Sequence, residues 1–396
     1  MKTGKTKRNY MLGAGILLLL CLLISLWPSS PQQLDLPKTV DFNYHIRPLL
    51  SQNCFVCHGP DSSSREAGLR LDNLEGATAL LESGNYAIVP GDAEGGSLIQ
   101  RLRSENPEVR MPPPEAKKIM SEREIALLEK WIDQGAEWKP HWAFIHPEMP
   151  DIPGNLKETS IAHKIDHFIE EELNRRELKK SDQASKNSLI RRASYILTGL
   201  PPAPEAVDAF IADSSEQAFE KVVDQYLASP HFGERWARHW MDLVRYGEAM
   251  GHEFDIEISH AWEYRDYLIR AFNADVPFDL FVKEHLAGDM LEEPRYHPAE
   301  GYNESIFGTG YFYLGEGKHS PVDTKQEEAD KIDNMIDVTS KTFQALTVAC
   351  SRCHDHKFDP IPTTDYYAMY GMIESARLGP HPARSGKEKA STFNKL

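Results

Sequence analysis

The sequence is poor in cysteine, with five in 396 residues, and it lacks the alternating apolar and polar runs that form half-buried β-strands. It also lacks an internal repeat, apart from one duplicated cysteine motif. Lysine and arginine number 44 against 60 aspartate and glutamate, and the net charge of -16 argues against a nucleic-acid-binding surface. A solvated acidic surface is the simpler interpretation of this charge. With 41% apolar and 26% charged residues, we expect a globular, mainly α protein.

The N-terminus combines a basic patch with a long apolar run. Four basic residues lie between Lys2 and Arg8, and an apolar segment extends from Met11 to Trp27, which is the layout of an export signal. No A-x-A cleavage sequence follows, so residues 1–33 are interpreted either as a cleaved signal or as an uncleaved membrane anchor. In both cases the positive residues stay inside, which places the remaining chain in the periplasm or another extracytoplasmic compartment.

Residues 38–146 have the pattern of a small helical domain. Asp41 is placed to cap a helix that leads into the first cysteine pair. A turn-rich stretch with many glycines and prolines follows over residues 59–114. Ser121 and Glu124 then form a capping box for a strongly amphipathic final helix. This order of helix, wrapped loop and terminal helix is typical of a small cytochrome.

A Pro-rich connector over residues 141–155 leads into a second domain, for which we predict helices over residues 155–380. Apolar residues recur there at helical spacing in several segments. One of these predicted helices runs from about Gly233 to Met250. Residues 381–396 form a polar tail.

Two Cys-x-x-Cys-His motifs carry the chemistry of the chain, Cys-Phe-Val-Cys-His at residues 54–58 and Cys-Ser-Arg-Cys-His at residues 350–354. Two thiols one helical turn apart can add to the two vinyl groups of one porphyrin, and the adjacent histidine then faces the iron. Chance would produce only about 0.003 such matches at this composition. The motifs therefore predict two covalently bound c-type haems. The predicted attachment residues are Cys54, Cys57, Cys350 and Cys353, and the predicted iron ligands are His58 and His354.

Zinc is the main alternative to haem for these cysteines. Two Cys-x-x-Cys pairs can form one zinc site, but these pairs are separated by nearly 300 residues and zinc requires no histidine beside each pair. An exported protein could also place paired cysteines in disulfides. The adjacent histidines and the predicted export favour haem at both motifs.

Met111 is the best candidate for the second axial ligand of the first haem. It precedes three consecutive prolines, which restrict the loop and hold the thioether in a fixed direction. Met120 is the weaker alternative, and either methionine could simply fill a core.

The second haem has no preferred distal ligand in the sequence. The candidates are His231, His239, His252, His260, His319, Met369 and Met372. An open, five-coordinate iron is the other interpretation. Residues 251–255 and the pair Asp355 and His356 could then supply acid–base groups, or could instead be structural.

These residues resemble a known family. Residues 42–146 are similar to the planctomycete-type cytochrome c domain in the first motif, in Val89 to Asp92 and in Met111-Pro112-Pro113. Residues 160–376 look like the uncharacterised helical domain that accompanies it, for example in Phe232 to Trp236 and in Cys350 to Phe358. The resemblance implies an exported multi-domain cytochrome and carries over Cys54, Cys57, His58 and Met111 as haem residues. Family members commonly continue into a further C-terminal domain. This sequence is therefore interpreted either as a fragment of a longer protein or as a short variant.

Three functions follow from these motifs. The first is electron transfer between redox partner proteins, by a di-haem cytochrome that is free or membrane-anchored. The second is a di-haem oxidoreductase of the peroxidase type, with an open second iron. The third is a module that binds a polymer or a partner protein and in which the haem is structural.

Overall fold

The computed structural model describes residues 34–251, 255–318 and 320–376. Within these ranges the chain is helical, and its only β-pairing is a set of four isolated bridges. The expected mainly α fold is thus confirmed. Some predictions concern residues outside these ranges. They are the predictions for the N-terminal segment 1–33, for His252 and His319, and for the polar tail 381–396. In the described part of the chain, no helix has both the length and the apolar character needed to cross a membrane.

The chain divides into two compact units between residues 145 and 146, and each is described by itself. The first unit begins with a π-helical turn at Phe42–Ile46. Its α-helices are α1 (Arg47–Asn53), α2 (Phe55–His58), α3 (Leu74–Ala77), α4 (Ser97–Arg103) and α5 (Glu122–Asp133). Short 3₁₀ turns lie at Ser62–Ser64, Pro114–Ala116 and Trp142–Phe144.

The predicted caps of the first unit are present. The Asp41 side chain accepts a hydrogen bond from the Tyr44 N–H, and it caps the π-helical turn that precedes α1. Ser121 and Glu124 form the reciprocal capping box at the start of α5, which satisfies main-chain N–H groups that would otherwise lack a partner. These caps fix where α1 and α5 enter the core.

The core of the first unit forms where α5 meets the N-terminal turn. Trp131 of α5 is buried beside Phe42, with ring centroids 5.5 Å apart, and Trp138 packs 4.5 Å from Phe42. Tilted aromatic pairs of this kind add attraction beyond the burial of their area. The same core extends to Leu50 of α1 and Leu98 of α4, so it holds the helices around the first motif in place.

The second unit is built from nine longer helices in its described residues. They are α6 (Ile161–Arg175), α7 (Lys186–Leu197), α8 (Pro204–Ala212), α9 (Ala218–Leu227), α10 (Pro230–Leu243), α11 (Ala261–Asn273), α12 (Phe278–Ala287), α13 (Thr324–Gln344) and α14 (Thr363–Ser375). Further 3₁₀ segments lie at Gly154–Leu156, Ser305–Tyr313 and Val348–Arg352.

Helices α10 and α11 pack closely and carry much of the second core. Gly233 permits this approach, because a Cβ atom there would lie 2.3 Å from the main-chain oxygen of Ile269. The prediction that α10 continues to about Met250 was wrong. The helix ends at Leu243, and Arg245 takes a left-handed conformation with φ of 52°. Its guanidinium donates to the Tyr311 carbonyl at 3.0 Å, a tertiary contact that ends the helix without a glycine.

A buried charge network lies between α12 and the following loop. Glu284 is fully buried and accepts hydrogen bonds from Arg295 at 2.7 and 3.0 Å and from the Ser305 hydroxyl at 2.7 Å. Arg295 also pairs with Glu304, which is bound in turn by Arg270. Buried carboxylates are tolerated only when their charge is compensated in this way.

Candidate functional site

The first Cys-x-x-Cys-His motif forms a single helical turn. Cys54 precedes α2, and its main-chain oxygen accepts from the N–H groups of both Cys57 and His58, at 3.1 and 2.9 Å. This turn places the two thiols and the imidazole on neighbouring positions of one short helix. Both cysteines are present as free thiols, so the pair is not a disulfide.

A cavity of about 650 Å³ lies against this turn. Its volume falls within the range of roughly 300–1,000 Å³ that is usual for cofactor sites. The lining is predominantly apolar and includes both cysteines and the histidine of the motif. Other lining residues are Leu69, Leu71, Leu81, Leu98, Leu102, Pro112 and Pro113.

Burial affects two residues of the motif in different ways. Burial lowers the pKa of His58, so the imidazole is neutral and can act as a metal ligand. Its Nδ1 atom is buried without a hydrogen-bond partner. Burial raises the pKa of the Cys54 thiol to about 12. An apolar cavity beside two free thiols and an unpaired buried imidazole nitrogen fits a covalently attached haem.

The chain after the motif folds back onto α2. The Glu66 N–H donates to the Cys57 oxygen at 2.8 Å, and the Leu71 N–H donates to the His58 oxygen at 2.7 Å. Gly59 makes the reversal sterically possible, because a Cβ atom there would lie 2.3 Å from the Phe55 oxygen. These contacts hold the imidazole on one wall of the cavity.

Met111 lines the same cavity as the motif. Its N–H donates to the Arg101 oxygen at 3.0 Å, which ties the Pro-rich loop to the end of α4. Met120, the alternative ligand, is buried in the apolar core of the unit and is not among the residues that line the cavity. The structure therefore brings Met111 together with Cys54 and His58, while its bond to iron stays a prediction.

The second motif lies at the surface of the second unit. It follows α13 in the 3₁₀ segment Val348–Arg352, and Cys350, Cys353 and His354 are all exposed. The neighbouring Arg352 is fixed by ion pairs to Asp330 at 3.0 Å and to Asp333 at 3.4 Å on α13. Arg352 thus connects the motif to α13, while the two cysteines and the histidine of the motif are exposed.

Asp355 and His356, proposed above as acid–base or structural groups, make structural contacts. Asp355 accepts from the N–H and hydroxyl of Thr363 at the start of α14, at 2.9 and 3.2 Å. His356 is buried, and its Nδ1 accepts from the main-chain N–H of Asp359 at 2.9 Å. Burial lowers the pKa of His356, so this ring is neutral. Both side chains stabilise the loop that follows the second motif.

The distal candidates of the second haem are spread over the second unit. His231 pairs with Glu234 at 2.7 Å on the surface of α10, and His239 lies against the Trp236 ring. His260 lies near Glu263, at 3.4 Å. Met369 packs in a small core beside the motif, whereas Met372 is 71% exposed. No distal ligand is singled out among the described residues.

Arg101 is a cavity residue that sequence reasoning missed. It lies on α4, three residues after Leu98 and one residue before Leu102, and both leucines also line the cavity. The apolar stripe of α4 was visible in the sequence, since positions 98, 101 and 102 share one helical face. A charged arginine on an otherwise apolar helix face is the sequence signal that could have identified Arg101.

Comparison with known proteins gives two family matches. The family described as Planctomycete cytochrome C, PSCyt1, matches residues 54–115, which include the first motif and Met111. The family described as Protein of unknown function (DUF1549), PSCyt2, matches residues 164–377, which include the second motif. The first match implies a covalently bound haem c in the first unit.

One curated relative is the hydrazine synthase subunit alpha of Kuenenia stuttgartiensis, which is 28% identical over 136 residues. The match covers 28% of this chain and 17% of that protein. No solved structure matches the chain significantly. The two family matches confirm the pairing of domains that the resemblance implied. The chain belongs to the PSCyt2 (DUF1549) family and carries a planctomycete cytochrome c domain ahead of the family domain.

Proposed function

We propose that this protein is an exported di-haem c-type cytochrome that transfers electrons between redox partner proteins. The observation that carries the proposal is the cavity of the first unit, which is lined by Cys54, Cys57, His58 and Met111. Two thiols, a neutral imidazole and a thioether are the complete set of side chains that a Met/His cytochrome needs. The apolar lining adds the low-dielectric surroundings that such a centre uses.

Each residue has a distinct task at this site. Cys54 and Cys57 would attach the haem at the start of α2 and within it, and His58 would provide its neutral imidazole as an iron ligand from the same turn. Met111 approaches on the Pro-rich loop, and thioether ligation raises the reduction potential relative to ligation by two histidines. The bound haem supplies one-electron chemistry at its iron. The apolar side chains that line the cavity would keep water away from the iron.

The second motif is proposed to hold a second haem at the surface of the family domain. Cys350 and Cys353 would attach it, and His354 would be its proximal ligand. All three side chains are exposed, which supports direct access for a partner protein. The same exposure supports a second candidate function, an oxidoreductase whose second iron binds a small substrate.

The number of haems is tested by mass spectrometry of protein made in a host that matures c-type cytochromes. The wild-type chain is expected to carry two porphyrins. Two double variants should each carry one porphyrin, at the motif that remains intact. They are Cys54→Ser with Cys57→Ser, and Cys350→Ser with Cys353→Ser. Colourless protein, or zinc in place of iron, would overturn the proposal at both motifs. A single porphyrin that is lost only in the first variant would restrict it to the first unit.

Spectra of the same preparations separate the candidate functions. Low-spin, six-coordinate iron at both sites is expected for electron transfer. A high-spin iron that binds cyanide, and that disappears with the second motif, would instead establish the oxidoreductase. Haem protein that binds a partner but exchanges no electrons with it would favour the binding module.

Export and anchoring are tested separately on the full chain. The mass of the mature protein shows whether residues 1–33 are removed. Cell fractionation shows whether the haem protein is released with the periplasm or stays with the inner membrane. Recovery of the holoprotein in the cytoplasm would contradict the proposed location.

A further inference from the structure

Arg101 contacts the Met111 loop at two points. Its main-chain oxygen accepts from the Met111 N–H at 3.0 Å. Its guanidinium Nη1 donates to the Val109 oxygen at 3.4 Å, two residues before the methionine. One residue of α4 therefore binds the loop through both its main chain and its side chain.

The loop between α4 and Met111 has little else to fix it. Residues 105–109 are all exposed, and the turn is closed by Asn106, whose oxygen accepts from the N–H groups of Val109 and Arg110 at 3.0 and 2.8 Å. Exposed turns of this kind open readily, since few buried contacts oppose the motion. The contacts of Arg101 thus connect an exposed turn to a helix whose Leu98 and Leu102 are buried in the core.

The same arginine also belongs to the wall of the cavity. It lines the cavity together with His58 and Met111. Its side chain offers several N–H donors in a fixed, planar arrangement and no acceptor. Arg101 therefore shares the cavity with His58 and also contacts the loop that carries Met111.

We propose that Arg101 is a positioning residue that holds Met111 against the haem iron by bracing the loop at Val109. The inference rests on the proposed ligation of Met111 and adds the residue that keeps the thioether in place. Loss of the guanidinium would leave the main-chain contact intact. It would still let the loop open more often, so that an external ligand competes with the methionine more successfully.

Imidazole binding to the ferric holoprotein, followed by its optical spectrum, is the test. Arg101→Leu removes the donor and keeps apolar volume. It should raise the apparent imidazole affinity about two- to tenfold, the effect of losing one hydrogen bond. Met111→Ala defines the affinity with no methionine to displace. The matched control is Arg103→Leu, because Arg103 lies on the same helix but pairs with Glu129 at the surface, at 2.8 Å.

Each outcome decides one question. Arg101→Leu could show the same imidazole affinity as the wild type and Arg103→Leu, while Met111→Ala shows a higher affinity. In that case the positioning role of Arg101 is wrong and the ligation by Met111 stands. If Met111→Ala also binds as the wild type does, the proposed ligation fails and the inference fails with it. If Arg101→Leu yields no holoprotein, the imidazole affinity of Arg101→Lys is compared with that of Arg103→Lys instead. Lysine keeps the stem and the charge without the planar fork, so an affinity between wild type and Met111→Ala supports the role. An affinity equal to that of Arg103→Lys refutes it.

Discussion

His356 and Thr347 are joined by a hydrogen bond of 2.9 Å between Nε2 and Oγ1, across the segment that carries the second cysteine pair. Nδ1 of the same ring accepts from the N–H groups of Phe358 and Asp359, at 3.2 and 2.9 Å. An accepting Nδ1 leaves the proton of the neutral ring on Nε2, which therefore donates to Thr347. One imidazole thus connects the residues before the motif with those after it.

Replacement of His356 by Ala should destabilise the second unit by about 1–3 kcal/mol, because two main-chain N–H groups lose their buried acceptor. Urea unfolding of the full chain measures the change. His231→Ala is the control, since that imidazole is exposed and forms a surface pair with Glu234. The control should stay within about 0.5 kcal/mol of wild type. Equal stability of the two variants would contradict the structural role of His356.

Replacement of Met111 by Ala should abolish the weak absorption band near the red end of the visible spectrum that reports an iron–thioether bond. The reduction potential of the first haem should fall as well, since a Met/His pair raises it. Met120→Leu is the control and should keep the band, because Met120 packs in the apolar core and the exchange conserves volume. A band that survives in the Met111 variant and disappears in the Met120 variant would reverse the assignment.

Local signals predicted much of the first unit. The Asp41 cap, the capping box of α5 and the helical turn of the first motif each depend on residues within four positions of one another. Such short-range contacts are readable from the sequence because helix geometry fixes which side chains meet. The mainly α fold followed from the same regularities.

Long-range contacts could not be predicted in this way. The end of α10 depends on Arg245 reaching Tyr311, and the burial of Glu284 depends on Arg295. The contact of Arg101 with the Met111 loop joins residues that no local pattern relates. The exposure of the second motif was equally hidden, because its sequence matches the first while its surroundings come from α13 and α14.

Gly59→Ala should lower the yield of haem at the first motif. The added Cβ would lie 2.3 Å from the Phe55 oxygen and 2.8 Å from the Phe55 Cβ, and Phe55 is fully buried, so α2 itself must shift. Gly371→Ala is the matched control, because nothing lies within 4 Å of a Cβ atom there and the residue is inside α14. That change should stabilise the helix by up to about 1 kcal/mol. Mass spectrometry gives the haem yield, and equal yields in the two variants would refute the steric argument.

The buried pair of Glu284 and Arg295 makes a prediction about pH. Burial alone would raise the pKa of Glu284, but hydrogen bonds from Arg295, Ser305 and Tyr267 offset that effect and hold the pKa below its usual range. The stability that these bonds add is therefore present above the unfolded-state pKa of roughly 4.3. It is lost as the pH falls through the lower folded-state value.

Arg295→Leu removes the compensating charge and should cost about 3–5 kcal/mol at pH 7, because an ionised carboxylate is left buried. Without Arg295, burial should raise the pKa of Glu284, so protonation on acidification relieves the variant, whereas the wild type keeps its advantage down to the unfolded-state pKa. The difference in unfolding free energy between the two proteins should therefore shrink from pH 7 to pH 4, as measured by urea titration at each pH. Lys283→Leu on the same helix removes only an exposed pair with Asp279 and should show no such trend. A deficit in Arg295→Leu that stays constant with pH would show that packing, rather than the carboxylate charge, accounts for the loss.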